Sequence, residues 1–553
     1  MHSSELRQKF LDFFKKNGHT VVPSSSLLPT DPSVLFTTAG MQQFKPYYLG
    51  EESPWGPNVA SCQKCIRTSD IEEVGDERHL TFFEMLGNFS FGGYFKEKAI
   101  ELGYKFIAEE LKLEIDYVTV FSPEKVAEGD WRKGVAEDAE SYEIWKKYVP
   151  EEKIRKEGVD NFWGPTGEEG PCGPTTEIYV NGIEIWNIVF NEFFCSKGKA
   201  LEKLPTPGVD TGMGLERLAM VVQKVPTVFE TDLFAPLMEL FSGIANEKKR
   251  RIIADHAKAS AFLISDGVMP SNKDQGYILR RLLRRMIIHL RGSGKEILAP
   301  IARSIGLYQG IYALDEKKVA QVVIEEAEKF EKTLQAGLRA IEKMEHINGK
   351  EAFALYETYG FPLEVLEEMH QVENREAFFE ELKKHQDLSR TASAGMFKGG
   401  LADHEPKTIK LHTAHHLLLA ALQELLGKEV KQRGSNINQE RLRIDFSFDR
   451  KLTDEEKKKL EEMVNEKIKA GLNVIRREMP KEEAEKIGAE MEFGVKYGNT
   501  VSVYFIEDEK GHVFSKEFCG GPHVSNTSEL GTFKIAKEEA SSAGVRRIRA
   551  VLE

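Results

Sequence analysis

Residues 4–19, SELRQKFLDFFKKNGH, set Leu6, Phe10, Phe13 and Phe14 on one side of a helical period and place Gly18 to end it. That spacing predicts a short amphipathic helix at the start of the chain. From about 20 to 240 the texture changes to short alternating apolar runs such as YVTVF and IEIWNIVF, among Gly, Pro and Trp, which predicts a mixed-sheet domain with functional loops. Within it, HLTFFEMLGNFSFGGYFK (79–96) alternates Phe83 and Met85 with Phe82, Glu84 and Leu86, the period of a strand whose faces see different surroundings. An unpaired carboxylate does not belong among so many phenylalanines, so either a cation or a ligand must meet Glu84. From about 245 to 390 the pattern is helical. Val319, Val322, Val323, Phe330, Leu334, Leu338 and Ile341 recur at threes and fours before an Asn-Gly stop, predicting a packed helical bundle with a solvated charged face. TASAGMFKGGLADHEPKTIKL (391–411) reads as a linker. Beyond it a helix with two histidines, two strand-like runs (RLRIDFSF, TVSVYFI), a charged helix and a glycine-rich CGGPHV segment make an α+β unit.

The length of 553 residues calls for several cores, and 41% hydrophobic with 30% charged content is that of a soluble globular protein. No apolar run reaches the ~18 residues of a membrane span, and MHSSELRQKF has no secretory head, so a cytoplasmic protein without membrane contact is expected. Five cysteines make no disulfide framework, and the CQKC pair of Cys62 and Cys65 has no second pair at zinc-ribbon spacing. A net charge of −13 argues against a general nucleic-acid coat and leaves room only for a local basic surface.

Four stretches carry candidate chemistry. His412 and His416 lie one helical turn apart, and Cys519 and His523 repeat the spacing across two glycines; the four can close a tetrahedral Zn²⁺ site. The plain alternative for the histidine pair is a set of satisfied surface or core imidazoles. In RRLLRRMIIHLR, Arg280, Arg281, Arg284 and Arg285 suit phosphates along a nucleic acid, or else ion pairs with the chain's many acids. FWGPTGEEGPCGPTTEIY joins Trp163 to a Gly/Pro loop and Glu177, a ligand loop or an ordinary turn. In GVDTGMGLERL, Asp210 reads by default as a helix cap, and Arg217 as a phosphate clamp.

Taken in order, LFTTAGMQQFKPYYLG, HLTFFEMLGNFSFGGYFK, GPCGPTTEIY, EIWNIVFNEF, VDTGMGLERLA, ADHAKASAFLISDGVMPSN, YETYGFPLE and the His and Cys-His pairs resemble the alanyl-tRNA synthetase family of class II aminoacyl-tRNA synthetases. The resemblance runs from near residue 4 to the C-terminus. It implies an α+β multidomain fold: an antiparallel-sheet catalytic domain (1–240), a helical acceptor-stem domain (241–395), a linker (396–411) and a zinc-binding editing domain (412–553). It implies ligation of L-alanine to tRNA(Ala) through alanyl-adenylate with ATP and Mg²⁺, and hydrolysis of mischarged seryl- or glycyl-tRNA.

By the same resemblance, Arg67 grips the ATP α-phosphate, Phe83 stacks on adenine, and Arg217 packs on its other face or holds the γ-phosphate. Asp210 pairs with the substrate ammonium, Trp163 and Asn187 shape the alanine pocket, and Glu84 faces the nucleotide and its cations. Asn272 and Glu357 read a G·U pair in the acceptor stem, with Arg280, Arg281, Arg284 and Arg285 as phosphate contacts. His412, His416, Cys519 and His523 hold Zn²⁺, with Gln432 near the tRNA 3′ end. The chain departs from the family in a short RTSD motif 2 loop without its lysine, in Glu357 where many members have Asp, and in having no room for a β-barrel between about 396 and 411. It stops at AGVRRIRAVLE without the usual C-terminal module, which implies a monomer. The rival reading is a tRNA-binding trans-editing hydrolase with an inactive synthetase half.

Overall fold

The computed structural model describes residues 1–29, 34–165, 167–344, 346–394, 405–491, 500–542 and 544–553. Contacts divide the chain into two compact units, Met1–Asn374 and Arg375–Glu553.

The first unit is built on a nine-stranded sheet, with strands β1 (Thr20–Val21), β2 (Asn58–Ile66), β3 (Phe82–Phe91), β4 (Tyr117–Phe121), β5 (Ile154–Glu157), β6 (Phe162–Trp163), β7 (Gly170–Val180), β8 (Ile183–Cys195) and β9 (Leu201–Gly214). Their order is β1-β2-β3-β9-β8-β7-β4-β5, with β6 paired to β7; only the edge pairs β1–β2 and β4–β5 are parallel. The opening helix, Ser3–Lys16, buries Leu6, Phe10, Phe13 and Phe14 as its period predicts, and Gly18 takes a positive φ just beyond it. Two stretches read as turns are strands. Gly170–Pro174 belongs to β7, where a Cβ on Gly173 would lie 1.8 Å from the Phe190 carbonyl oxygen, so the glycine answers to a close neighbouring strand. Asp210 lies inside β9, not at a cap; Gly214 is the N-cap of the helix Leu215–Gln223 that follows.

The helical segment, expected as a separate domain, shares a core with the sheet. Phe262, on the helix Glu247–Ser265, stacks on Phe82 of β3 at 4.0 Å between ring centroids, and one buried cluster continues from Leu6 to Val323. The helix Glu316–Ile341 buries Val319, Val322, Val323, Phe330, Leu334 and Ile341 as expected, together with Glu326, an acid on the same apolar face. Asn348-Gly349 does not stop this helix. Asn348 caps the next one, Gly349–Tyr359, accepting from the Lys350 and Glu351 N–H groups at 3.0 and 3.1 Å.

In the second unit the helix Pro406–Leu426 carries both histidines, so its fold begins before the expected boundary at 412. The expected linker lies outside the described residues over 396–404. That helix and Asp454–Lys469 pack against a four-stranded antiparallel sheet (Gln432–Ile437, Leu442–Ser447, Val545–Leu552, Phe533–Ser542). A second, three-stranded sheet comprises Asn473–Pro480, Thr500–Glu507 and Val513–Phe518.

Candidate active site and metal centre

Strand alternation sorts the large sheet into two faces. Phe83 and Met85 of β3, Ile185, Asn187 and Val189 of β8, and Asp210, Gly212 and Gly214 of β9 line a cavity of about 490 Å³. The residues between them, including Phe82, Leu86, Trp186, Ile188, Val209 and Met213, fill the core on the other side. In register, Glu177, Asn187 and Gly212 form one row across β7, β8 and β9, and Asp210 stands opposite Val189.

This cavity brings together Arg67, Phe83, Trp163, Asn187, Asp210 and Arg217. The Arg67 guanidinium lies 5.1 Å from the Phe83 ring centroid, a cation–π contact. Arg217 Nη1 donates to Glu184 Oε2 at 3.1 Å and to the Glu184 carbonyl at 3.4 Å. Asp210 is buried, and desolvation alone pushes its carboxyl up to about 8. The Asn187 Oδ1 is buried without a partner. Glu177, read from the sequence only as part of a Gly/Pro stretch, also lines the cavity; burial, and then Glu184, push its carboxyl up to about 7.

Glu84 is not a ligand of this cavity. It sits one residue from Phe83 on the opposite face, fully buried, where Arg7 Nε and Nη2 donate to its two oxygens at 2.8 and 2.6 Å and the Tyr312 hydroxyl donates at 2.8 Å. Of the cation or ligand that the sequence required, the structure supplies a cation, Arg7 from the first helix. Cys62, beside Glu84 at 3.4 Å, and Cys65 are buried thiols on β2.

The arginine strip is largely internal. Arg285 is buried and donates to the Ile71 carbonyl at 2.6 Å, so it is no phosphate contact. Arg280 and Arg284 place Nε at 3.1 and 3.0 Å from Glu326 Oε1, and Arg281 pairs with Glu72 at 3.3 Å. Ion pairing, the plainer alternative, accounts for this strip: the acids are Glu326 and Glu72. Exposed Asn272 accepts from Arg280 Nη1, and Glu357 is exposed on the helix Gly349–Tyr359.

In the second unit His412, His416, Cys519 and His523 converge, with one ligand atom from each within 4.8 Å of the others. Cys519 Sγ lies 3.4 Å from His412 Nε2 and 3.5 Å from His523 Nε2. The Nδ1 atoms face away: that of His412 is 2.9 Å from the Pro522 carbonyl, that of His523 3.1 Å from Thr413 Oγ1, and that of His416 3.5 Å from Glu517 Oε2. Two imidazoles, His412 and His523, are held through Nδ1 and turn Nε2 towards the thiol, and with His416 they make a three-nitrogen, one-sulfur donor set that fits a tetrahedral metal. Gln432 lines the adjoining hollow with His415, Glu490 and Glu517, none of which but Gln432 was expected. His415 and Glu517 have a readable signal only once the ligand set is known, since they neighbour its members.

The antiparallel sheet, with Arg67, Phe83, Asp210 and Arg217 gathered in one cavity on its face, is the arrangement of a class II synthetase, and the family described as "tRNA synthetases class II (A)" matches residues 5–434. A second, "Threonyl and Alanyl tRNA synthetase second additional domain", matches 501–549. Alanine–tRNA ligases of Borrelia hermsii and Treponema denticola are each 44% identical to it, aligned over 100% of both chains for the first and over 99% of this chain and 98% of the relative for the second. That of Dehalococcoides mccartyi is 34% identical over 99% of this chain and 80% of its own. The chain belongs to the alanine–tRNA ligase family.

Proposed function

We propose that the chain activates L-alanine with ATP, transfers it to tRNA(Ala), and hydrolyses the wrong products. An oxygen of the alanine carboxylate attacks the α-phosphorus of ATP, the bond to pyrophosphate breaks, and a 3′-terminal ribose hydroxyl then takes the acyl group as AMP leaves. Arg67 meets the charge that grows on the α-phosphate, Phe83 carries the adenine, and Arg217 closes the nucleotide slot. Trp163 and Asn187 bound the amino-acid end, and ATP would enter as its Mg²⁺ complex. The observation that carries the reading is Asp210: a carboxylate buried in the cavity with desolvation as the sole cause of its raised pKa is a socket for an ammonium group.

A pocket sized for alanine cannot reject glycine or serine by more than about 1–3 kcal/mol, so a second, hydrolytic site is required. His412, His416, Cys519 and His523 would hold a Zn²⁺ there, and Gln432, which lines the adjoining hollow, would meet the tRNA end. When bound, that ion polarises oxygen ligands. Asn272 and Glu357 are proposed to read the acceptor-stem wobble pair, and the protein to act as a cytoplasmic monomer. The described residues contain no helix long and apolar enough to cross a membrane. Alanine-dependent exchange of pyrophosphate into ATP tests the ligase: Asp210→Ala should lose about 100-fold or more. No exchange by the native protein with any amino acid would favour the trans-editing rival.

A further inference from the structure

The motif ADHAK, on the helix Glu247–Ser265, contributes nothing to the cavity wall, yet Asp255, His256 and Lys258 are all fully buried. Burying three polar residues on one helix is costly unless each has a fixed partner. Their partners are the backbone that leads into Arg67 and Glu216, which is itself part of the cavity wall. Asp255 Oδ1 accepts the Thr81 N–H at 2.8 Å, and the Thr81 carbonyl accepts the Arg67 N–H at 3.0 Å. One turn on, Lys258 Nζ donates to Glu216 Oε1 at 3.2 Å. Glu216 precedes Arg217 and accepts the Glu84 N–H at 3.1 Å, and Glu84 follows Phe83. Lys258 is surrounded by the rings of Phe234, Tyr308 and Phe82 at 4.1, 5.1 and 5.5 Å, which shut it off from bulk solvent. His256 Nδ1 holds the second Asp255 oxygen at 2.9 Å.

We infer that Asp255 and Lys258 are positioning residues for the nucleotide site: one helix, through two buried charges three residues apart, sets the spacing between the Arg67 and Arg217 sides of the slot floored by Phe83. The inference rests on the assignment of that cavity to ATP. Neither residue touches substrate. Removing the Lys258 ammonium leaves Glu216 as a buried carboxylate without its cation, and the start of the Arg217 helix then parts from β3 or Glu216 takes up a proton. The first of these widens the slot for the nucleotide and leaves the Asp210 end intact.

The test is pyrophosphate exchange with ATP and alanine varied separately. Lys258→Met should raise KM for ATP about 10-fold and leave KM for alanine within about 2-fold, with Lys258→Arg restoring most of the loss. Asp255→Asn, which keeps the shape, should shift KM for ATP the same way by a few-fold and serves if Lys258→Met does not fold. Val323→Ala, a core truncation in a different helix, is the comparison for instability alone: it should lower Tm and leave both KM values unchanged. Lys258→Met and Asp255→Asn behaving like Val323→Ala, or shifting both KM values equally, would overturn the inference. Absence of exchange in the native protein would instead overturn the assignment of the cavity.

Discussion

Asp210 is an acid whose ionised form burial holds at a disadvantage. Its carboxyl is raised from 3.8 to about 8, so the protonated form stabilises the fold, fully below pH of about 4, and this contribution is lost as pH rises through about 8. Without ligand, Asp210→Asn should therefore gain in Tm relative to the native protein as pH is taken from 4 towards 8, measured by thermal melts across that range. Alanine KM in the native protein should fall over the upper part of the same range, because the ionised carboxylate is the binding form. Arg7 and Glu84 make the opposite case, a buried charge already paired. Arg7→Met should cost about 3–5 kcal/mol in denaturant unfolding, and Arg7→Met with Glu84→Gln should recover much of it. That Glu84 needed a partner was legible in its phenylalanine surroundings. Which partner was not, since Arg7 is 77 residues away in sequence and nothing in either local pattern records the pairing.

At the scale of elements, the period of two decides which residues reach ligand. Phe83 could be assigned to the cavity from alternation and resemblance together, and Asn187 and Asp210 from resemblance; the local pattern alone read Asp210 as a cap, because Gly212 and Gly214 after it mimic turn chemistry. Those glycines instead make room within a strand: a Cβ on Gly212 would come 2.9 Å from Met85 Sδ. Gly212→Ala should thus crowd the amino-acid end, raising KM for alanine more than KM for glycine, by an amount worth about 1–3 kcal/mol in the ratio of kcat/KM values. Asn348-Gly349 failed as a stop signal for a similar reason; Asn serves helix starts as well as ends, and only the side chain's N–H partners tell which. Arg280, Arg284 and Glu326 misled because a charge count treats every charge as solvated, and two helices that face each other can hold ion pairs between them, while Arg285 is spent on the Ile71 carbonyl. The histidine helix was legible because i and i+4 must share a face.

For the whole molecule, the expected three folded domains became two units because the helical segment buries Phe262, Tyr308 and Val323 in the sheet's own core. Composition cannot show that two segments share a core. The net charge of −13 still requires that RNA be met locally, and the arginine strip supplies less of that surface than its count suggests, with Arg285 spent internally. Charging of tRNA(Ala) transcripts should drop at least about 10-fold when the acceptor-stem wobble pair is replaced by a Watson–Crick pair. His412→Ala should lose bound zinc by elemental analysis and accumulate seryl-tRNA, with alanine activation intact; unchanged clearance of serine would remove the editing assignment.

The two-faced sheet also limits how this protein can change over generations. Adding or deleting a single residue near the start of β8, before Trp186, would swap what each following side chain meets, turning Trp186, Ile188 and Phe190 towards the cavity face and Asn187 into the core. Length variation should accordingly be confined to strand ends and to the connections between them, where a shift of frame can be absorbed before it reaches a wall of the binding chamber.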